Sequence, residues 1–118
     1  MPSTPSRSQV AALHDILENI KLARSFVQGM SLKDFRADLR TYYAVVRCLE
    51  IISEASRQLP AETKARHPQI PWTDIAGAGN IYRHRYHVVR DELVWETVQQ
   101  ELEPLRVLVE EQLGRPPE

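Results

Sequence analysis

The sequence has a single cysteine, Cys48, only four glycines and almost no imbalance of charge. One cysteine excludes an internal disulfide and leaves a cysteine-based zinc site without ligands. Cys48 reads as a small apolar residue on a helix rather than a nucleophile. A formal net charge of −1 over 118 residues gives the molecule no general attraction to nucleic acid or membrane. Any site for a polyanion must therefore be a local cluster, completed where needed by a second subunit. No apolar run approaches the roughly 18 residues that span a bilayer. Met1 to Ser8 is rich in Pro and Ser and lacks the apolar stretch of a signal peptide. It reads as a disordered N-terminal tail, residues 1–8, of a cytoplasmic protein. No segment alternates with period two, and there is no hairpin dipeptide, internal repeat, Gly-rich phosphate loop or His-Glu-x-x-His motif.

What is present is helical periodicity. A first stripe of Val10, Leu13, Leu17, Ile20 and Val27, widened by Ile16 and Leu22, predicts a helix from about Ser8 to Gln28 that ends at Gly29. Ser31, with Asp34 three residues on, marks a second helix start. Phe35, Leu39, Tyr42, Val46, Leu49 and Ile52 then step by three or four toward Leu59, where Pro60 stops the helix. A short helical turn is expected over Ala61 to Arg66, followed by an extended His67 to Pro71 because each proline restricts its predecessor. Pro71-Trp72-Thr73-Asp74 opens a third long helix, whose Gly77 and Gly79 suit close approach by another backbone. A last helix from near Asp91 carries Trp95, Val98, Leu102, Leu105 and Val109, with Pro104 expected to kink it. The architecture predicted is all-α: an antiparallel four-helix bundle with a short extra helix over residues 9–113, and a C-terminal tail at 114–118.

The chemistry concentrates in Asn80-Ile-Tyr-Arg-His-Arg-Tyr-His87. On a helix Asn80, His84 and His87 share one face, with Arg83 about a quarter turn from His84. Imidazole exchanges protons near neutral pH, and guanidinium grips phosphate oxygens while staying charged. RNA cleavage needs both: proton transfer at the 2′-hydroxyl and the leaving oxygen, and charge stabilisation at phosphorus. The rival reading is a basic, solvated helix end. Two histidines three apart are also half a metal site, but no local carboxylate or cysteine completes it, so no metal or other cofactor is expected. His14 and His67 read as isolated histidines. Glu50 and Glu54, four apart on one helix face, either reach the histidine or arginine of the motif or pair with Arg47 and Arg57.

Two blocks make the chain recognisable. Val46-Arg-Cys-Leu-Glu-Ile-Ile-Ser-Glu-Ala55 resembles the Arg-x-Leu-Glu-Ile-Ile-Gly-Glu-Ala of the HepT-like branch of the HEPN superfamily, the toxin halves of HepT–MntA toxin–antitoxin pairs. Ile70-Pro-Trp-Thr-Asp-Ile-Ala-Gly, followed by His84-x-Tyr86 and Val94-Trp95, is similar to the same family. The resemblance covers about Val10 to Leu113. It implies a helical bundle that dimerises with its motif helices meeting at a cleft, and a metal-independent endoribonuclease.

The family motif is Arg, four to six residues, His, one residue, Tyr. His84 and Tyr86 match it; Gly79 stands where the common pattern has the arginine, and the nearest upstream arginine is Arg83. The expectation is a type VII toxin acting on RNA as a homodimer, with His84 as general acid or base, Arg83 as the phosphate-stabilising cation and Asn80 as a positioning group. Arg85 and His87 complete the binding cluster. The resemblance further implies an MntA-like minimal nucleotidyltransferase partner that silences the toxin by transferring AMP to Tyr86. Tyr86 as a packed aromatic is the rival reading at that position. The alternatives for the whole chain are a non-catalytic HEPN module partnering a nucleotidyltransferase, its motif arginine replaced by Gly79, and a small-molecule nucleotide-binding helical domain.

Overall fold

The computed structural model describes residues 6–76 and 87–114, with side chains from Asp91 onward in the second stretch. Every regular element among the described residues is helical, with no strand among them. Helix α1 spans Arg7–Val27, α2 Leu32–Ala37, α3 Leu39–Arg57, α4 Ala61–Arg66, α5 His87–Glu96 and α6 Leu102–Gln112, with a π-helical turn Thr97–Glu101 joining the last two. A further helical segment opens at 72–76.

Local chemistry sets most of these boundaries. Ser6 and Ser31 each form a reciprocal capping box, with Gln9 and Asp34 respectively, which satisfies backbone N–H groups that the first turn leaves unpaired. Gly29 follows α1 at φ 80°, a left-handed conformation that costs glycine little. Pro60 holds an extended backbone between α3 and α4.

Three expectations change. The single helix predicted from Ser31 to Leu59 breaks at Asp38, which sits at φ −118° and ψ 91°. Its carboxylate accepts from the Thr41 backbone N–H (3.2 Å) and from Thr41 Oγ1 (2.8 Å). The same bonds hold the Asp38 carboxyl below its ordinary range. Asp38 thus caps a new helix instead of continuing the old one. The break shifts the helical phase, so Leu39, expected on the buried stripe, is 51 % exposed; Leu22, expected to widen the stripe of α1, is also exposed. Second, His67 to Pro71 is not extended: the Ile70 N–H donates to the His67 carbonyl (3.2 Å), closing a turn. Third, the single last helix expected from near Asp91 is divided by the π turn Thr97–Glu101, which ends three residues before Pro104. A proline lacks the N–H that an α-helix would direct to the residue four before it. One turn upstream the chain widens, and the Leu102 N–H bonds to the Thr97 carbonyl, the i→i−5 pattern of a π turn.

The core lies between α1 and α3, with α6 closing one side. Ile16, Ile20 and Ala23 from α1, Val45 and Ile52 from α3, and Leu105 and Val109 from α6 are at most 2 % exposed. Each large aliphatic side chain removed from water here contributes about 1.5–3 kcal/mol. Phe35, the one buried side chain of α2, lies 5.8 Å from the ring of Tyr42 and 5.5 Å from that of Trp95, tying α2 to both α3 and α5. Asn19, within the buried face of α1, is satisfied by donating to the Asp15 carbonyl at 2.8 Å.

A charged network fastens α1 to α6. Glu103 accepts from Arg24 (2.7 Å) and Arg106 (2.6 Å), and Arg106 also meets Glu110 at 2.8 Å. Arg106, and after it Arg24, hold the Glu103 carboxyl down to about 2, against an ordinary 4.5. A carboxyl lowered in the folded state stabilises above its unfolded value and loses that contribution as pH falls. Glu103 is 48 % exposed, so solvent screening limits the effect to about 1 kcal/mol or less. Glu103→Gln is expected to lower the melting temperature at neutral pH and to flatten its fall between pH 4.5 and about 2. A pH–stability profile for the variant parallel to that of the parent would assign the acid sensitivity elsewhere.

Candidate functional site

Asn80, Arg83, His84, Arg85 and Tyr86 lie outside the described residues, as do Gly77 and Gly79, and His87 is placed only as the first residue of α5. What the structure defines is the frame on either side of them. That frame consists of the chain up to Ala76, helix α5 on the far side, and the parts of α2 and α3 that touch these ends.

The approach to the segment is fixed by Trp72. Its indole Nε1 donates to the carbonyls of Lys64 (3.1 Å) and His67 (3.0 Å). Each of these carbonyls also accepts a backbone N–H, Lys64 from His67 (3.1 Å) and His67 from Ile70 (3.2 Å), so the indole adds a second bond to each oxygen. Ile70, 3 % exposed, anchors the same turn in the core. The Ile70-Pro-Trp block is therefore structural: an apolar peg, a residue that restricts the backbone, and a ring whose N–H closes the preceding loop.

The start of the segment is fixed by α3. Ser53 Oγ donates to the Ala76 carbonyl at 2.9 Å, and Arg57 Nη2 donates to the same oxygen. Ser53 is 2 % exposed and occupies the position at which the α3 block departs from the glycine of the pattern it resembles. Arg57 is itself held by Glu54, whose carboxylate accepts from Nη1 at 3.1 Å. Past the far end, Arg36 of α2 meets Asp91 (3.5 Å) and Glu92 (3.2 Å) of α5, and Asp91 is almost fully buried.

Glu54 pairs with Arg57, as the second reading has it. Glu50 stands 3.8 Å from Arg47, at the limit of an ion pair, and is less exposed than Glu54. Both line a cleft of about 280 Å³ together with Asp15, Arg47, Ile51 and Gln58. Burial pushes the Cys48 thiol up, away from the thiolate a nucleophile would need. His14 is exposed on α1, and His67 is half-buried at the end of α4. Among the described residues no group of three or more His, Cys, Asp or Glu is arranged to hold a metal ion, and no helix is long and apolar enough to cross a membrane.

Sequence reasoning missed Ser53 and Arg36, and gave Arg57 only as an ion-pair partner of the α3 carboxylates, not as a donor to Ala76. Ser53 carried a signal, being a hydroxyl inside an apolar block. The two arginines look like any solvated helix charge until the fold supplies their partners.

Comparison with known proteins places this frame in context. The profile of the family described as "Ribonuclease HepT-like" matches residues 16–112. The chain is 38 % identical over 100 residues to a protein of Thermococcus cleftensis named "Probable ribonuclease HepT", covering 85 % of this chain and 91 % of that one. It is also 38 % identical over 103 residues to a protein of Caldanaerobacter subterraneus subsp. tengcongensis named as a "Putative RNase", covering 87 % and 92 %. A Methanocaldococcus jannaschii protein with the same kind of name is 36 % identical over 94 residues, covering 80 % and 78 %. No solved structure matches the chain.

The frame yields one stability test. Trp72→Phe keeps a ring and removes both N–H bonds. It is expected to cost about 1 kcal/mol in chemical denaturation, the usual net worth of such bonds. Unchanged stability would show that the backbone donors of His67 and Ile70 satisfy these carbonyls without the indole.

Proposed function

Because the chain belongs to the HepT-like ribonuclease family, we propose that it is the toxin of a toxin–antitoxin pair, cleaving RNA phosphodiester bonds as a homodimer without a metal ion. The observation that carries this reading is the family match over residues 16–112, among relatives named as ribonucleases. The residue types from Asn80 to His87 supply the chemistry. His84, as the neutral imidazole, takes the proton of a 2′-hydroxyl. The 2′-oxygen attacks the adjacent phosphorus and the bond to the 5′-oxygen breaks. The resulting imidazolium returns a proton to that leaving oxygen, so the products are a cyclic phosphate and a free 5′-hydroxyl. Arg83 neutralises the charge that grows on the phosphoryl oxygens. Asn80 positions the phosphate or the imidazole, and Arg85 and His87 hold the flanking RNA. With a net charge of −1, a single subunit offers a weak basic cluster. Two clusters across a two-fold axis make one stronger site, and the small Gly77 and Gly79 permit the close approach this needs.

Gly79 at the place of the motif arginine favours a second reading, in which the chain keeps the assembly and has lost the chemistry. RNA cleavage by the purified protein separates the two. His84→Ala and Arg83→Ala are each expected to reduce cleavage and growth arrest; loss of general acid–base catalysis alone is worth about 10²–10⁴ in rate. EDTA is expected to leave the rate unchanged. Full activity in His84→Ala would falsify the assignment, and a parent protein that cleaves no RNA would favour the binding module.

Regulation follows from Tyr86. In the proposal a partner nucleotidyltransferase activates ATP, the Tyr86 phenol oxygen attacks the α-phosphorus, and pyrophosphate leaves. The AMP ester places bulk and negative charge beside Arg83 and Arg85, in the space meant for RNA phosphate. Co-expression with the partner is expected to give an AMP adduct by intact-mass spectrometry, mapping to Tyr86 and absent in Tyr86→Phe. An unmodified chain, or an adduct on Tyr42, Tyr43 or Tyr82, would overturn this part of the reading.

A further inference from the structure

We propose that the cleft between the end of α1 and the π turn is a second contact for RNA, taking the phosphate of a nucleotide outside the cleavage segment. The proposal rests on the ribonuclease reading above for the identity of its ligand.

The cleft encloses about 590 Å³, within the ordinary range of ligand sites. Its floor is apolar, formed by the buried Val27 and Val98. Its rim carries Lys21, Arg24, Gln28 and Gln99, and no Asp or Glu lines it. The chain has 16 acidic residues against 15 Lys and Arg. Two cations in a cleft without a carboxylate are a local excess that the net charge hides.

The donors of this rim are unspent. Lys21 is exposed and makes no ion pair or hydrogen bond with a described residue, and the side chains of Gln28 and Gln99 make none either. Arg24 gives one guanidinium N–H to Glu103 at 2.7 Å and keeps its others. Gly29 adds a backbone donor. Gln28 at φ −58° and ψ 126°, Gly29 at φ 80° and the Met30 N–H on the Val27 carbonyl (3.0 Å) make a type II turn. The Gly29 N–H bonds to no described residue, and the space where a side chain would stand is open.

Basic side chains in the last turn of a helix are ordinary partners of its carbonyls, which accounts for Arg24. That effect fades within one turn, so it does not account for Lys21, six residues before the end of α1. Lys21 also lines two adjoining clefts, of about 490 and 400 Å³. In the first, Glu18 stands three residues away yet forms no ion pair with it. In the second, Arg24 and Arg106 are matched by Glu103 and Glu110. Lys21 is thus an unpaired cation where three grooves meet. Donors without carboxylates suit phosphate oxygens, and a lysine holds phosphate as a point charge without reading sequence. No aromatic side chain lines the cleft, so it offers no platform for a stacked base. The contact is therefore with the RNA backbone.

The test is binding of a labelled single-stranded 2′-O-methyl RNA, which has no 2′-hydroxyl to attack, to the full chain at several salt concentrations. Lys21→Ala is expected to weaken binding of every sequence alike. It is expected to lower the slope of log affinity against log salt by about 0.7, the value of one phosphate on a single strand. Lys21→Arg is expected to keep the slope, and Gln99→Ala to weaken binding without changing it. In cleavage of ordinary RNA, Lys21→Ala is expected to raise KM and leave kcat unchanged. Arg7→Ala removes an equal charge from the same helix, about 21 Å away at 1.5 Å per residue, and is expected to keep the parent's affinity. Equal losses in Arg7→Ala and Lys21→Ala would reduce the effect to overall charge and overturn the proposal. Normal RNA binding in both Lys21→Ala and Gln99→Ala, in a chain that cleaves RNA, would overturn it and spare the ribonuclease reading. AMP binding that depends on Lys21 while RNA binding does not would make the cleft a free-nucleotide site and overturn it too. RNA held through Lys21 by a protein that cleaves none would sustain the cleft and sink the ribonuclease reading instead.

Discussion

The burial of α3 against α1 is the constraint on which the rest of the molecule depends. Ile16, Ile20 and Ala23 of α1 and Val45 and Ile52 of α3 are at most 2 % exposed, and the two helices pack against each other along this stripe. An interior this closely packed transmits displacement rather than absorbing it. Because α3 cannot rotate without exposing that stripe, its other faces point where the core dictates. One carries Ser53 and Arg57 toward Ala76. Another carries Tyr42 toward Phe35 and, through Phe35, toward Trp95 of α5. Both sides of the chemically rich segment are thus referred to a single buried helix.

Most of the fold was legible because it rests on periodicity and caps, which are local. The stripes of α1 and α6, the end of α1 at Gly29, the start at Ser31 and the short helix over Ala61–Arg66 all follow from neighbours within a turn or two. Asp38 shows where that reasoning stops. The stepping from Phe35 through Leu39 to Tyr42 is helical by spacing alone, and a solvent-facing aspartate inside a helix costs little. Only the choice of Asp38 to cap Thr41 breaks the helix. Nothing in the residue types says that the cap defeats one more turn. Pro104 was readable as a local defect, but the π turn before it was not, since residue types do not say where a turn will widen.

The candidate site divides in the same way. Its chemistry was legible from the residue types in Asn80 to His87, since imidazole, guanidinium and phenol have fixed capacities wherever they stand. Its frame was not. Arg36, Arg57 and Ser53 act on partners 55, 19 and 23 residues away in sequence, at Asp91 and Ala76. Such pairings exist only once helices have packed. Glu54 marks the boundary. The sequence offered two partners for it, and the structure shows that pairing with Arg57 also ties it to Ala76 through the other end of the guanidinium.

The break at Asp38 and the grip on Ala76 belong to one geometric problem. Had α2 and α3 formed a continuous helix, Arg36 and Arg57 would stand about 30 Å apart along one axis, at 1.5 Å per residue. Arg36 would then point wherever the phase of that helix sent it. The break at Asp38 frees α2 to pack through Phe35 against Trp95, which brings Arg36 to Asp91 and Glu92. Arg57 remains on α3 with Ala76. The stretch between Ala76 and Asp91 is therefore held by two arginines on two helices whose relative direction is set at one residue. Burial of α3 against α1 settles where the Ala76 end is held, and the cap that Asp38 forms with Thr41 settles where α2 can hold the Asp91 end.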